Sequence, residues 1–115
     1  MKQETVAPEE DIFSVSKKMK LNKSIIVLEK KKPVGIITMR DIVSRVLAKG
    51  KNPKETLAKD VMTSPVFCAK DNEEIEDIIK TMIKKDYLTT PVVDNRGYYK
   101  GMVSLRQMIG LIKKK

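Results

Sequence analysis

The stretch Val34–Ile42, VGIITMRDI, returns later in the chain as Lys100–Met108, KGMVSLRQM. Each copy begins with the glycine and aliphatic residues of a buried strand, passes through a hydroxyl residue and continues into the apolar periodicity of a helix. Upstream, Met19 and Met82 lie in the apolar patterns that precede the two copies, 15 residues before Val34 and 18 residues before Lys100. Two units of roughly 50 to 60 residues are too few for a solenoid, so the repeat predicts a pseudo-symmetric pair.

The length of the chain indicates that these halves fold together. A chain of 115 residues buries one moderate core, whereas two independent domains of half that size would each be only marginally stable. We therefore predict one intimately packed module, with a first motif over residues 1–53 and a second over residues 54–115.

Composition excludes several kinds of chemistry. The chain has a formal net charge of +9, no histidine and a single cysteine, Cys68. It therefore has no Ser-His or Cys-His couple, no imidazole or multi-thiolate metal site and no intrachain disulfide. Cys68 lies in an apolar strand pattern and is predicted to fill the core. The excess of positive charge favours anionic partners such as nucleotides or nucleic acid.

An acidic cluster is the remaining candidate for metal binding. It falls where a helix is predicted to begin, and acidic residues there offset the helix dipole; its members are Asp71, Glu73, Glu74, Glu76 and Asp77. We therefore predict no metal site and no cofactor.

The ends of the chain and its apolar runs bear on location. No apolar run approaches the length needed to cross a bilayer, and the first residues lack the apolar stretch of a secretory signal. The sequence predicts a cytoplasmic protein without membrane association, and its ending in three lysines is typical of a natural terminus.

In the first half, apolar patterns predict a helix, two strands and a second helix, in that order. A helical stripe predicts a helix from about Glu9 to Lys20, before strands at Ser24–Leu28 and Val34–Ile37. A further helix is predicted from Arg40 to about Lys49, with an apolar face formed by Ile42, Val43, Val46 and Leu47.

The second half repeats this order. Ile75, Ile78, Ile79, Met82 and Ile83 follow helical spacing. Strands are predicted at Pro91–Val93 and Lys100–Val103, and a final helix from Leu105 to about Ile112. Each half thus has the order β-α-β-β-α, and we predict an α/β (α+β) fold of two packed motifs.

Side chains at the repeated strand-to-helix junctions suggest a nucleotide site. Thr38 and Ser104 stand where the unpaired amides of a first helical turn would favour an anion. Arg40 and Arg106 occupy equivalent positions, and their planar guanidinium groups suit phosphate. Asp41 has the acceptor oxygens to bind the vicinal hydroxyls of a ribose.

The same residues also fit a purely structural interpretation. Thr38 with Asp41, and Ser104 with Gln107, have the spacing of capping boxes, in which each side chain bonds the backbone amide of the other residue. Such caps need no ligand, and each contributes about 1 kcal/mol.

The motifs together resemble a known family. The order β-α-β-β-α, found twice, combines with Gly-hydrophobic-hydrophobic-Thr-x-x-Asp at Gly35–Asp41, a Pro-Val-Val-Asp strand at Pro91–Asp94 and an Asp-Val-Met-Thr entry at Asp60–Thr63. This pattern resembles a tandem cystathionine-β-synthase (CBS) domain pair, the Bateman module, over essentially the whole chain.

The resemblance implies two ligand sites. In the family the hydroxyl and Asp of this motif contact the ribose and phosphate of an adenosine ligand, and neighbouring strand residues enclose the base. The first site implied here consists of Thr5, Ser24, Ile25, Ile26, Thr38, Arg40 and Asp41. The second consists of Leu88, Thr89, Thr90, Ser104, Arg106 and Gln107, where Gln107 replaces the family's Asp.

The resemblance also implies a function. It points to a non-catalytic sensor or regulatory module that binds AMP, ADP, ATP or S-adenosylmethionine in the cleft between its motifs, forms a homodimer and transmits the ligand state to a regulated protein partner. Two alternatives stay open. The charge favours a nucleic-acid-binding protein, and Gln107 favours a structural dimerisation module without a ligand.

Overall fold

A computed structural model of the protein describes residues 5–19 and 23–113, and the chain divides after Val66 into two compact units. Each unit contains a three-stranded sheet. The order strand, helix, strand, strand, helix is confirmed in both units. Lys20, the predicted last residue of the first helix, and the terminal Lys114 and Lys115 lie outside the described residues.

The first unit is built around a sheet with the strand order β1-β2-β3. Strand β1 is parallel to β2, and β2 is antiparallel to β3. Its elements in chain order are β1 (Thr5–Val6), α1 (Ile12–Met19), β2 (Ser24–Glu29), β3 (Lys32–Thr38), α2 (Met39–Ile42) and α3 (Ala58–Val61).

The helix after β3 differs from the prediction in its geometry. Of the helix predicted here, only the part in α2 is α-helical. Val43–Leu47 continue α2 as a π-helical turn, which is closed by a 2.8 Å hydrogen bond from the Ala48 amide to the Val43 carbonyl. Val46 is fully buried, but Val43 and Leu47 are 57% and 56% exposed. The predicted apolar face is therefore buried only in part, because apolar periodicity does not show which of its residues a neighbouring element covers.

Helix α1 starts later than predicted because the side chain of Asp11 caps its first turn. The Ser14 amide donates to Asp11 Oδ1 at 2.9 Å, so Asp11 holds the first helical turn and the helix begins at Ile12. The buried face of α1 joins β2, β3 and α3 in one core, which contains Val6, Ile12, Val15, Met19, Ile25, Val27, Ile37, Val46, Ala58 and Val61.

Residues 54–66, which the repeat assigns to the second motif, pack on the first unit. The Ile12 amide donates to the Thr56 carbonyl at 2.9 Å, and the Ala58 amide donates to the Glu10 carbonyl at 2.8 Å. After α3, Ile36 of β3 and Thr63 exchange backbone bonds of 3.1 and 2.9 Å.

The second unit has the strand order β4-β5-β6. Its elements are β4 (Ala69–Lys70), α4 (Ile75–Lys85), β5 (Thr89–Val93), β6 (Tyr99–Ser104) and α5 (Leu105–Lys113). Helices α4 and α5 pack on the sheet. The core between the helices and the sheet consists of Ala69, Ile78, Ile79, Met82 and Met108.

Candidate functional site

The first candidate site is centred on the junction of β3 and α2. Thr38 has extended backbone angles and ends the strand, and its Oγ1 accepts a 3.1 Å bond from the Asp41 amide. In return, Asp41 Oδ2 accepts bonds from the Thr38 amide at 2.9 Å and the Thr38 hydroxyl at 3.0 Å. The predicted capping box is therefore present.

The amides of this first helical turn are largely occupied. The Met39 amide donates to the Lys23 carbonyl at 3.0 Å, and the Asp41 amide is used by the cap. In the second unit, the Leu105 amide likewise donates to the Leu88 carbonyl at 2.9 Å. The expectation that unpaired amides of this turn would hold an anion is wrong for these positions, because the neighbouring chain and the cap satisfy them.

The sheet brings four of the predicted residues to one face. Thr5 is opposite Ile26, and Ser24 is opposite Thr38. Opposite residues point to the same face of a sheet, and residues two apart on one strand do so as well. Thr5, Ser24, Ile26 and Thr38 therefore share a face, and three of them carry hydroxyl groups.

Ile25 lies on the other face of this sheet. It is 4% exposed and belongs to the hydrophobic core with Val27 and Ile37. Because successive strand residues alternate between faces, Ile25 and Ile26 do not contact the same ligand through their side chains. Ile25 therefore leaves the side-chain set of the first site.

Two arginines flank Asp41. Arg40, the predicted phosphate-binding residue, is exposed. Arg45 was not predicted, yet its Nε lies 3.7 Å from Asp41 Oδ1 and its Nη1 donates a 3.0 Å bond to the Val61 carbonyl. Its position four residues after an aspartate on a helix was the signal in the sequence.

The second candidate site repeats this geometry in a more exposed form. The Gln107 amide donates to Ser104 Oγ at 3.1 Å, and Gln107 Oε1 accepts from the Ser104 amide at 3.0 Å. Ser104 is opposite Thr89. Arg106 and Gln107 are both exposed, and Leu88 is 71% exposed.

Thr90 departs from the predicted arrangement. It is opposite Val103 and shares a face with Val92, and both valines pack on the core of the second unit. Thr90 is 1% exposed, and within the described residues its hydroxyl has no hydrogen-bond partner. Its side chain therefore lies in the core, as that of Ile25 does, and not on the face of Ser104.

Comparison with known families decides the membership of this chain. The sequence model of the CBS domain matches residues 2–48 and 58–114. The chain belongs to the CBS domain family. CBS domains are regulatory modules and often bind nucleotides. The two matched segments are the motifs of a tandem CBS pair, and residues 58–66 of the second segment belong to the first compact unit.

Relatives of this CBS pair include longer proteins. An uncharacterized protein of Methanopyrus kandleri is 35% identical over 108 residues, which cover 91% of this chain and 55% of that protein. Inosine-5′-monophosphate dehydrogenase of Methanocaldococcus jannaschii is 31% identical over 108 residues, which cover 91% of this chain and 21% of the enzyme. The chain thus spans about half or less of these curated relatives.

A solved structure has the same fold. The cytosolic domain of the Mg²⁺ channel MgtE, in complex with ATP, matches with a TM-score of 0.78 and 19% identity over 95% of this chain and 45% of that one. This likeness confirms the α/β CBS fold.

Cys68 and most of the acidic side chains lie outside the two sites. Burial raises the pKa of the Cys68 thiol, which disfavours the nucleophilic thiolate. Among residues 5–19 and 23–113, no group of His, Cys, Asp and Glu side chains is placed to hold a metal ion. In the same part of the chain, no helix is long and apolar enough to span a membrane.

Proposed function

We propose that this CBS pair is a regulatory sensor that binds an adenosine-containing ligand, namely AMP, ADP, ATP or S-adenosylmethionine, at the first site. One observation carries the proposal. The cap occupies only Oδ2 of Asp41, while Oδ1 lies 3.7 Å from Arg45 Nε, beyond hydrogen-bond distance. Asp41 therefore keeps an acceptor oxygen for a ribose hydroxyl while its other oxygen holds the helix.

The surroundings of Asp41 suit the remaining parts of such a ligand. Thr5, Ser24 and Thr38 place hydroxyl groups on one sheet face, which is therefore polar enough to face a ribose. The Thr38 hydroxyl donates its proton to Asp41 Oδ2, so toward a ligand it can only accept. The exposed guanidinium of Arg40 is free to reach phosphate oxygens, for which its geometry is suited. The ATP complex of the MgtE domain supports the same ligand class.

The second site is proposed to bind more weakly. Ser104 and Arg106 repeat the hydroxyl and the guanidinium of the first site. Gln107, however, has one neutral amide oxygen, and this oxygen already accepts a hydrogen bond from the Ser104 amide. A neutral acceptor forms weaker bonds than a carboxylate. We therefore expect ligand to fill the first site before the second.

The sensor is proposed to act without chemistry of its own. A ligand shifts a conformational equilibrium only by its difference in affinity for the two states. The output is received by a regulated protein partner, which the chemistry of these sites does not name.

The proposed module forms a homodimer. Met39, Val43 and Leu47 are spaced four residues apart on α2 and its π-helical continuation, and they are 53%, 57% and 56% exposed. Large apolar side chains that remain exposed side by side are typical of a surface that a partner covers. A second copy of the chain is the occupant we propose, since CBS modules commonly dimerise.

Calorimetric titration tests the ligand. AMP, ADP, ATP and S-adenosylmethionine, with GTP for comparison, are titrated into the wild type and the variants Asp41→Asn and Asp77→Asn. Asn at position 41 retains an oxygen for the cap but loses the charge, and Asp77→Asn removes the same charge from an exposed position on α4 of the second unit. Saturable binding that only Asp41→Asn weakens is expected.

Two other results decide against the sensor. If the wild type binds none of these ligands, the proposal fails. If it instead binds single-stranded nucleic acid with an affinity that falls steeply with salt, a nucleic-acid-binding role replaces it.

Light scattering tests the dimer. A Val43→Lys and Leu47→Lys double variant is expected to be monomeric, whereas Ile83→Lys, at a 61% exposed position on α4, is expected to stay dimeric. A monomeric wild type would refute the homodimer.

A further inference from the structure

Arg45 joins two parts of the first unit that are distant in the sequence. Its Nη1 donates a 3.0 Å bond to the Val61 carbonyl at the end of α3, and its Nε lies 3.7 Å from Asp41 Oδ1. One guanidinium group thus connects the carboxylate of the proposed ligand site to the segment that follows the first motif.

The separation of 3.7 Å leaves Asp41 available. It is an ion-pair distance and too long for a hydrogen bond, so Arg45 orients the carboxylate without occupying the lone pairs of Oδ1. The Asp41 side chain is only 13% exposed. The Arg45 side chain is 48% exposed, so solvent screens the attraction between the two charges in part, and the role of Arg45 rests on the position of its guanidinium group beside Oδ1.

The second unit lacks both members of this pair. The repeat aligns Gly35 with Gly101 and Thr38 with Ser104, which places Gln107 at the position of Asp41 and Leu111 at that of Arg45. Where the carboxylate is replaced by an amide, the guanidinium is replaced by an apolar side chain.

Backbone geometry differs between the units in the same place. Arg45 lies in the π-helical turn Val43–Leu47, whereas α5 is α-helical throughout Leu105–Lys113. Such π-helical turns interrupt helices often at functional positions. The irregular turn occurs in the unit that has the Asp41–Arg45 pair.

The segment that Arg45 holds is also attached to the strand of the site. Thr63 exchanges two backbone bonds with Ile36, two residues before Thr38 on β3. Residues 61–63 therefore contact both the helix and the strand that meet at the candidate site.

We propose that Arg45 is a positioning residue that orients Asp41 for the ribose hydroxyls and couples ligand binding to the docking of residues 58–63. This inference rests on the proposed function. Coupling of this kind is reciprocal: if the Arg45–Val61 contact favours the binding-competent Asp41, then the bound ligand stabilises that contact by the same factor. The segment after the first motif thereby reports on occupancy of the first site.

The test uses the full chain with AMP and ATP, each compared with its dideoxy form, which lacks both ribose hydroxyls. Arg45→Met is expected to weaken AMP or ATP binding by about 10-fold and to leave binding of the dideoxy form unchanged. Arg45→Lys is expected to recover part of the affinity, because an ammonium group restores the charge but not the two-point fork. Arg96→Met removes an equal charge from a turn of the second unit and is expected to leave the affinity for both nucleotide forms unchanged.

Hydrogen exchange adds an independent readout. The Met62 and Thr63 amides donate to Ala58 and Ile36, and bound nucleotide is expected to slow their exchange in the wild type but not in Arg45→Met. Equal weakening of the natural and dideoxy nucleotides would show that Arg45 acts only on the fold, and no weakening would show that it has no role in binding. Either result would overturn the inference alone. A wild type that binds none of the nucleotides refutes the proposed function and this inference together.

Discussion

Gly35 and Met62 approach so closely that a Cβ atom at position 35 would collide with the Met62 side chain. A Cβ atom on Gly35 would lie 2.7 Å from Met62 Cγ and 3.0 Å from Met62 Cβ. Met62 follows α3 directly, and the next residue pairs with β3. The first glycine of the repeated motif therefore allows the segment after α3 to lie against the strand that leads to Thr38.

Gly35→Ala is expected to lower the free energy of unfolding by about 1 to 3 kcal/mol, the usual cost of overpacking. The cost should be smaller in a Met62→Ala background, because the colliding side chain is then absent. Urea denaturation of the two single variants and the double variant gives this coupling. Strictly additive effects would contradict the steric explanation.

Gly101, the equivalent glycine of the second copy, is needed for a different reason. Its φ is +153°, and a Cβ atom there would have nothing within 4 Å. Gly101→Ala is therefore expected to cost about 1 to 3 kcal/mol through backbone strain, and urea denaturation should give the same cost with or without Met62→Ala. Rescue by Met62→Ala would contradict this account.

Much of the fold was predictable because the same pattern appears twice. The junctions at Thr38 and Ser104, the strands before them and both capping boxes follow from local sequence, since caps and strands depend on neighbouring residues. The two glycines show the limit of that reasoning. The same residue type is needed for close packing in the first copy and for its backbone angle in the second, and only the three-dimensional structure reveals this difference.

What the sequence could not predict depends on tertiary packing. Val43 and Leu47 continue an apolar pattern, but the π-helical turn leaves them exposed. The family resemblance implies that Ile25 and Thr90 lie beside a ligand base, whereas strand alternation places both side chains in the core. The spacing of Arg45 four residues after Asp41 is visible in the sequence, but its bond to the Val61 carbonyl depends on the tertiary structure.

The buried hydroxyl of Thr90 predicts a stabilising substitution. A buried polar group without a partner costs about 1 to 3 kcal/mol, and replacing it with an apolar group of the same shape removes that cost. Thr90→Val is therefore expected to raise the free energy of unfolding by about 1 kcal/mol, measured by urea denaturation.

Thr56 offers a matched control for this substitution. It is also buried, at 8% exposure, but its hydroxyl donates a 2.8 Å bond to the Asn52 carbonyl. Thr56→Val is expected to lower the stability by about 1 kcal/mol, the usual net value of one hydrogen bond. If both valine variants are destabilised alike, the Thr90 hydroxyl has a partner after all.

The cap of α1 predicts a loss of stability in acid. The bond from the Ser14 amide lowers the pKa of Asp11 below its ordinary value of 3.8. A carboxylate whose pKa is lower in the folded state contributes its full stabilisation above 3.8, and that contribution is lost as the pH falls through the folded pKa. The urea midpoint of the wild type should therefore fall in this acid window.

Asp11→Asn separates this effect from the other carboxylates. Its midpoint should fall less than that of the wild type over the same window, because the amide keeps an acceptor oxygen but does not titrate. NMR titration of the Asp11 carboxyl carbon gives the folded pKa directly. Parallel acid profiles for the variant and the wild type would refute the role of Asp11.

Gln107 predicts a gain of binding. Gln107→Asp gives the second motif the carboxylate of the first, and adding Leu111→Arg gives it the neighbouring guanidinium as well. Calorimetry with AMP and ATP is expected to show additional binding in the single variant and tighter binding in the double variant. The guanidinium should help because it orients a carboxylate whose other oxygen holds the cap, as Arg45 does for Asp41.

The single variant Leu111→Arg is the control for added charge. It leaves the amide at position 107 and should bind AMP and ATP as the wild type does. If it improves binding as much as the double variant, added charge rather than a paired carboxylate accounts for nucleotide affinity in this motif.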